Sequence, residues 1–198
     1  MPAGDLGGGM MGDGVLASHD GRAAFGDLFR VLRRLGKPVV AKVQGDALGG
    51  GFGLMLACDL VVACDEARMG TPEIRLGLFP HVIMATIFRN IGRKAGLELI
   101  LTGDRIPADR ALELGLINRC VPRDQLDEAT DALCASIERH SPAILKLGRQ
   151  AFHTMSEMRF DESLDFLNAM LTVNTLAEDA MEGVGAFLQK RPPEWKGR

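Results

Sequence analysis

The stretch GDALGGGFGLMLACDLVVAC, residues 45–64, decides the fold. Its three consecutive glycines precede FGLMLAC, a segment that is apolar on all sides and therefore predicts a buried helix. The apolar run LVVAC follows Asp59 and predicts a buried strand, and VVAKV, which comes before the glycines, predicts another. Continuous apolar strands that alternate with a helix indicate an α/β unit with parallel strand pairing.

The flanking sequence predicts that this α/β unit is followed by a helical region. The elements expected around it are, in order, a helix over 22–35, a structured loop with a strand fragment over 65–80, helices over 81–91 and 93–102, a helix from Pro107 to about Gly115, and a strand at LINRCVP. From Leu126 onward four further helices are expected. We therefore predict a core domain over residues 1–122 and a helical C-terminal region over 123–198.

The composition is that of a soluble globular protein and argues against several classes of function. The 198 residues are 46% apolar and 25% charged, and the net charge of −3 does not suggest a nucleic-acid partner. No apolar run approaches the roughly 18 residues of a membrane span. Four cysteines form no C-x-x-C pair, so reduced cysteines in a cytoplasmic protein are expected, and no metal site: Cys58, Cys64, Cys120 and Cys134.

A glycine turn between a strand and a helix is a common way to build a site for an anion. The first N–H groups of a helix have no partner within the helix, and glycine lets a ligand oxygen approach the backbone closely. The stretch does not match G-x-x-x-x-G-K-[ST] or G-x-G-x-x-G, so a phosphate cradle is not favoured. The chemistry that remains is stabilisation of a developing oxyanion, such as an enolate.

Several motifs together resemble the enoyl-CoA hydratase/isomerase (crotonase) family. They are KPVVAKVQGDALGGGFGLMLACDLVVAC, TPEIRLGLFP, LTGDRIPADRALELGLINRCVP and, at the end, FLQKRPPEWKGR. The resemblance implies an α/β fold with a crotonase-like β-β-α spiral core and a helical C-terminal trimerisation region. It starts at about residue 37, and the family's N-terminal strands are expected to be missing. Three explanations stay open: a truncated product, compensation by neighbouring subunits, or a mis-assigned start.

The resemblance assigns an oxyanion hole to two backbone N–H groups. Gly50, the second glycine of the triplet, matches the residue that donates to the thioester oxygen. Gly4, in PAGDL, matches the second donor imperfectly. Gly49 and Gly51 are expected to border the bound substrate.

The resemblance also implies that one catalytic carboxylate is kept and another is lost. Hydratases of the family hold a water between two glutamates, and the first of these positions is Gly53 in this chain. The second is Glu73, in TPEIRLG. One carboxylate can still carry a proton from C2 to C4 of an enoyl thioester, provided that an oxyanion hole stabilises the intermediate. Double-bond isomerisation with Glu73 as the base is therefore the leading hypothesis.

Two more residues are candidates for substrate contacts. His81, expected at the start of a helix, either supplies a second acid/base group or points to solvent. Lys190 matches a C-terminal lysine that reaches the phosphates of coenzyme A in some family members, or else belongs to a solvated basic tail. The partners expected are an acyl-CoA thioester and further copies of the chain, as a homotrimer or a dimer of trimers. No cofactor is expected, because coenzyme A is part of the substrate.

Two alternative functions remain open from the sequence. One is a catalytically inactive oligomeric scaffold, a family member that has lost both the glutamate at position 53 and the N-terminal strands, and the expected absence of those strands favours it. The other is a changed reaction, decarboxylation or thioester hydrolysis, through the same oxyanion chemistry. The intact glycine triplet and Glu73 favour an enzyme.

Overall fold

The computed structural model describes the backbone from residue 14 to residue 198, and side chains from residue 19 onward. Gly4 lies outside the described residues. The helices are α1 (Gly14–Arg34), α2 (Gly50–Ala57), α3 (Met84–Asn90), α4 (Arg93–Thr102), α5 (Ala108–Glu113), α6 (Leu126–Glu138), α7 (Pro142–Met155), α8 (Phe160–Thr175) and α9 (Glu178–Gln189). The strands are β1 (Val40–Val43), β2 (Ala47–Leu48), β3 (Leu60–Cys64), β4 (Arg68–Gly70), β5 (Arg105–Pro107) and β6 (Arg119–Val121). Two short 3-10 helices cover Pro72–Leu76 and Arg123–Gln125.

The strands form two small sheets, each with one strand before α2 in the chain and two strands after it. The first has the order β1-β3-β6 and is parallel, with Val40 opposite Leu60 and Ala63 opposite Cys120. The second has the order β2-β4-β5, in which β2 and β4 are parallel and β4 and β5 antiparallel. Because β1 and β3 are parallel neighbours, the chain between them must cross over, and the segment that contains the glycine turn and α2 provides that crossover.

The chain divides into two compact units. The first contains the described residues up to Leu32 together with Val39–Thr130, and the second contains Arg33–Pro38 and Asp131–Arg198. The division falls inside α6, whereas the sequence suggested a boundary at residue 122, which stays a prediction. The core of the first unit consists of fully buried side chains from the strands and helices: Phe52, Val62, Cys64, Met69, Ile87 and Ile100.

The second unit is helical, and α7 contacts both α8 and α9. The hydroxyl of Ser141 accepts a hydrogen bond from the Ile144 N–H at 3.2 Å, and this caps the start of α7. The buried guanidinium of Arg149 donates to the carbonyls of Arg33 and Leu35, at 3.1 and 2.6 Å. These bonds satisfy carbonyls at the C-terminal end of α1, where no helical partner remains.

The C-terminal tail folds back on the first turn of α9. The buried carboxylate of Asp179 accepts hydrogen bonds from the Ser141 hydroxyl at 2.5 Å and from the N–H groups of Lys196 and Gly197, at 2.7 and 3.0 Å. The N–H of Asp179 donates to the Arg198 carbonyl at 3.0 Å. A single buried carboxylate therefore fixes both the tail and the start of α7.

The structure confirms most of the predicted elements, corrects the start of two helices and adds two strands that were not predicted. Helix α1 begins at Gly14 rather than at residue 22, and α3 begins at Met84 rather than at residue 81. A two-residue strand, β2, lies inside the segment that was expected only to turn. Strand β5 was not predicted, and its antiparallel pairing with β4 limits the expected parallel arrangement to the other strand pairs.

Within the described residues, no helix is long and apolar enough to span a membrane.

Candidate active site

The turn between β2 and α2 requires glycine at position 49 for two independent reasons. Gly49 has φ 54° and ψ −123°, a backbone conformation that residues with a side chain rarely adopt. A Cβ atom built on Gly49 would lie only 2.9 Å from Oε1 of Glu73. The Gly49 N–H donates to the Gly70 carbonyl at 2.9 Å, which ties the turn to β4. The conformation therefore brings the backbone of the triplet directly against the carboxylate of Glu73.

The next two glycines, Gly50 and Gly51, open α2 and are both exposed. The first N–H groups of a helix have no acceptor within it and lie at the positive end of the helix dipole. A Cβ on Gly50 would come within 3.4 Å of the Phe25 ring, whereas a Cβ on Gly51 would meet no described atom within 4 Å. The three glycines thus differ: position 49 excludes a side chain, a Cβ at position 50 would be in ordinary van der Waals contact with Phe25, and position 51 is open.

Glu73 is positioned by a short helix that follows β4. The 3-10 helix Pro72–Leu76 has proline at its start, where the missing N–H costs nothing, and it ends at Gly77, which has φ 72°. The Glu73 carbonyl accepts from the Leu78 N–H at 3.1 Å. Thr71, just before this helix, is fully buried and donates its hydroxyl hydrogen to the Leu99 carbonyl at 3.0 Å. These bonds fix the backbone on both sides of the carboxylate.

The carboxylate of Glu73 lies in a poorly solvated environment. Its Oε2 atom is buried and has no hydrogen-bond partner among the described residues. Burial raises the pKa of Glu73 above its ordinary value of 4.5, and a hydrogen bond from its own backbone N–H opposes this in part. A carboxylate with a raised pKa and a free lone pair is suited to accept a proton from a weak carbon acid.

Gly53 lies one helical turn after Gly49, and the Gly53 N–H donates to the Gly49 carbonyl at 3.0 Å. A Cβ built on Gly53 would lie 2.2 Å from Cγ2 of Ile83 and 3.4 Å from the Phe29 ring. Both distances are measured to buried side chains. The space beside Gly53 is therefore already filled with apolar atoms, and the position has no room for a second carboxylate.

His81 does not lie at the start of a helix. It is exposed in the turn before α3, where its N–H donates to the Phe79 carbonyl at 2.8 Å. Its ring packs against the Phe79 ring, with 5.4 Å between the centroids. The helix was expected from residue 81, three residues too early, and the Pro80 carbonyl accepts a hydrogen bond from the N–H of Met84, the first residue of α3.

Lys190 belongs to the second unit, directly after α9. It is exposed and has φ 55°, so its backbone ends the helix in the left-handed conformation. The neighbouring Arg191 donates to both carboxylate oxygens of Glu182, at 2.6 and 2.9 Å, and lowers the pKa of Glu182 to about 2. Arg191, the cation next to Lys190, is therefore paired with a residue of the second unit.

Three apolar residues near the site escaped the sequence analysis. Phe25 and Phe29 were recognised only as part of an amphipathic helix, and Ile83 as part of a helical segment. The rings of Phe25 and Phe29 pack edge to face, with 4.8 Å between their centroids. The i, i+4 spacing of Phe25 and Phe29 was the available signal, but it does not tell which glycines the two rings cover.

Within the described residues, no cluster of three metal-ligating side chains occurs.

The sequence of this chain is similar to those of known proteins. The family model for enoyl-CoA hydratase/isomerase matches residues 4–198. The 2,3-dehydroadipyl-CoA hydratase of Escherichia coli (strain K12) is 37% identical over 172 residues, which cover 86% of this chain and 68% of the relative. The mitochondrial enoyl-CoA hydratase domain-containing protein 3 of Rattus norvegicus is 32% identical and is covered over 56% of its length. The chain therefore spans about two thirds or less of these curated relatives.

A solved structure gives the same result for the fold. The enoyl-CoA hydratase of Mycobacterium smegmatis is similar with a TM-score of 0.90 and 34% identity, over 94% of this chain and 73% of that one. This neighbour confirms the predicted crotonase-like fold. The match of a family model to nearly the whole sequence, joined to relatives above 30% identity, shows that the chain belongs to the enoyl-CoA hydratase/isomerase family.

Proposed function

We propose that this protein binds an acyl-CoA thioester and moves a double bond from C3–C4 to C2–C3 of the acyl chain. The observation that carries the proposal is the carboxylate of Glu73, half-buried beside the glycine triplet, with one oxygen that has no hydrogen-bond partner among residues 14–198. The apolar contact of Ile83 at Gly53 supports it, because a second acid/base group has no room there.

The reaction needs two proton transfers and no co-reactant. The Glu73 carboxylate takes a proton from C2, and the electron pair of that C–H bond passes into the thioester to form a dienolate. The protonated Glu73 then returns the proton to C4, and the double bond is left between C2 and C3. Atoms and charge balance, and the carboxylate is regenerated, so one residue serves as both base and acid.

The negative charge of the dienolate requires hydrogen-bond donors at the thioester oxygen. We assign one of these to the Gly50 N–H at the start of α2, where the helix dipole also favours negative charge. The second donor proposed is the N–H of Gly4, outside the described residues. Gly49 and Gly51 border this position, and His81 and Lys190 remain proposed contacts of the coenzyme A portion or the acyl chain.

Hydration is the competing activity, since the relatives named above carry the name hydratase. Addition of water to C3 needs one group to activate the water and another to deliver the proton to C2. Glu73 is the carboxylate brought to the triplet in this structure, and Gly53 is packed against Ile83. This arrangement favours isomerisation over hydration.

The test supplies 3-enoyl-CoA and 2-enoyl-CoA separately to the purified protein and follows the products. We expect 2-enoyl-CoA from the first substrate and little 3-hydroxyacyl-CoA from the second. Glu73→Gln should lower isomerisation by about 100-fold or more, since a positioned acid/base group contributes that much. Glu98→Gln, a change at an exposed glutamate on α4, is the matched control and should leave the rate unchanged. Rapid hydration of 2-enoyl-CoA would refute the isomerase assignment.

The proposal extends to the assembly and its place in the cell. We propose a homotrimer or a dimer of trimers, because the second unit exposes many large apolar side chains that an isolated chain would leave in water. No cofactor is required for the steps above, because coenzyme A arrives with the substrate. A cytoplasmic location remains the expectation from the sequence.

A further inference from the structure

Ile83 occupies the space in which any side chain at position 53 would have to lie. A Cβ on Gly53 would be 2.2 Å from Cγ2 and 2.7 Å from Cβ of Ile83, and real Cβ atoms do not approach other atoms so closely. Ile83 is 3% exposed, and the Phe29 ring closes the same space from α1. The contact is therefore a filled core position rather than a surface contact that could open.

Ile83 cannot easily move away from Gly53. Its carbonyl accepts from the N–H groups of Thr86 and Ile87, at 3.0 and 2.9 Å, and from the Thr86 hydroxyl at 2.9 Å. These bonds form the start of α3, so the backbone of residue 83 is fixed by that helix. The side chain is branched at Cβ, which leaves it few rotamers, and no rotamer moves Cβ itself.

Glu73 and Ile83 pack against two positions at the start of α2. Gly49 is the residue directly before the helix, and the Gly53 N–H donates to its carbonyl at 3.0 Å. A Cβ on Gly49 would meet the carboxylate of Glu73, and a Cβ on Gly53 would meet Ile83. A second proton-transfer group at position 53 would therefore have to take the space that Ile83 fills.

We propose that Ile83 is a specificity-determining residue that excludes both a second acid/base side chain and a reactive water from the neighbourhood of Glu73. This inference rests on the proposed single-carboxylate isomerisation and adds the residue that enforces it. A dry apolar neighbour keeps the proton on Glu73 from exchanging with solvent between the two transfers. The same neighbour denies a hydration reaction the place for its water.

The steric part of the proposal is tested by stability, without any substrate. Gly53→Ala is made in the natural sequence and together with Ile83→Val, Ile83→Ala or Ile83→Gly, and each thermal midpoint is measured against its own Gly53 parent. Ile83→Val is the matched control, because it removes only Cδ1 and keeps the Cβ and Cγ2 atoms that face Gly53.

We expect Gly53→Ala to lower the midpoint by roughly 3 to 10 °C in the natural sequence and with Ile83→Val. The loss should be smaller with Ile83→Ala and smallest with Ile83→Gly, which removes Cβ as well. Losses of equal size in all four backgrounds would overturn the proposal.

The chemical part is tested by isotope retention with a 3-enoyl-CoA that carries deuterium at C2, in ordinary water. In the natural protein and with Ile83→Val, a large share of the deuterium should appear at C4 of the product. With Ile83→Ala, water enters and retention should fall by about half or more. A purely structural role would alter the rate without altering retention, so unchanged retention with Ile83→Ala would overturn the proposal.

The two arms separate this inference from the proposed function. If the natural protein converts no 3-enoyl-CoA, the isomerase assignment fails, and the water-exclusion role proposed for Ile83 fails with it. The stability series would still decide whether Ile83 excludes a side chain at position 53. If isomerisation is found and either arm gives its contrary result, the isomerase assignment stands and the role of Ile83 is wrong.

Discussion

At the scale of single residues, the carboxylate of Glu73 has one buried oxygen, Oε2, that accepts no hydrogen bond from any of the described residues. The same desolvation that makes it a stronger base also makes the ionised carboxylate costly to keep in the folded protein. Reactivity and stability are thus coupled at one residue, and they respond to pH in opposite directions.

Replacement of the Glu73 charge should stabilise the protein at neutral pH. Burial raises the folded-state pKa above 4.5, so the folded chain holds its proton more tightly than the unfolded chain. The stability contribution of Glu73 is therefore complete at low pH and is lost as pH rises through the raised pKa. We expect Glu73→Gln to unfold at higher urea concentration than the natural protein near pH 7, with the gap closing toward pH 4. A less stable variant at every pH would contradict this.

The glycines of the triplet should differ sharply in their tolerance of alanine. Gly49→Ala places a side chain at φ 54° and against the Glu73 carboxylate, so it should lower the free energy of unfolding by about 1 to 3 kcal/mol. Gly51→Ala, in open space within α2, should leave it unchanged or raise it by about 0.5 to 1 kcal/mol. Urea unfolding of both variants measures the difference, and similar losses in both would refute the geometry of the turn.

At the scale of elements, the four helices expected from Leu126 onward are all present, because their apolar residues recur at helical spacing. Helix α7 also has a start signal in the Ser141-Pro142 pair. Strand β5 was missed because Arg105–Pro107 is too short for a pattern and contains proline. The early start of α1 was missed because glycine and aspartate there indicate a loop. Short elements depend on their partners in the fold, and a local pattern does not contain those partners.

The candidate site shows the same limit. Glu73 and the glycine triplet could be predicted from motifs, since each lies in a continuous, family-specific stretch. The contact between Gly53 and Ile83 joins an α2 residue to the turn before α3, and no local signal links these positions. The sequence raised the question of why glycine stands at position 53, and the packing of Ile83 gives the physical answer.

The tail contact at α9 should make the second unit sensitive to acid. Hydrogen bonds from Ser141 and from the N–H groups of Lys196 and Gly197 lower the pKa of Asp179 below its ordinary value of 3.8. The stabilisation is therefore complete at neutral pH and is lost as pH falls through the lowered pKa. Asp179→Asn should lower the thermal midpoint by several degrees near pH 7, and the loss should shrink in acid.

The matched control for this prediction is the adjacent Glu178→Gln. Glu178 is exposed and pairs with Arg198 through a contact of 3.0 Å. Exposed pairs of this kind contribute little, so the control should change the midpoint by much less. Equal losses for the two variants would show that the buried bonds of Asp179 are not what holds the tail.

At the scale of the whole molecule, both units expose large apolar side chains, and the most exposed of these belong to the second unit. The second unit exposes a set of large apolar side chains on its last helices: Phe160, Leu171, Leu176, Met181, Val184, Phe187 and Leu188. Phe187 is the most exposed of these, at 82%. Large exposed apolar patches mark surfaces at which proteins associate.

A charge placed in this surface should weaken assembly. Phe187→Asp is expected to shift the mass measured by light scattering from a multiple of three chain masses toward that of one chain. Gln189→Glu is the control, because it adds a charge on the same helix at an exposed polar position. Assembly that survives Phe187→Asp, or a natural protein that is monomeric, would count against the proposed trimer.

The filled space at Gly53 also has a consequence for the order in which this sequence can change over evolution. A side chain gained first at position 53 collides with Ile83 and costs stability at once, whereas a smaller residue gained first at position 83 leaves a cavity that a later change can fill. The order of the changes at positions 53 and 83 therefore matters for stability. A descendant with a carboxylate at position 53 is therefore expected to have gained a smaller residue at position 83 first.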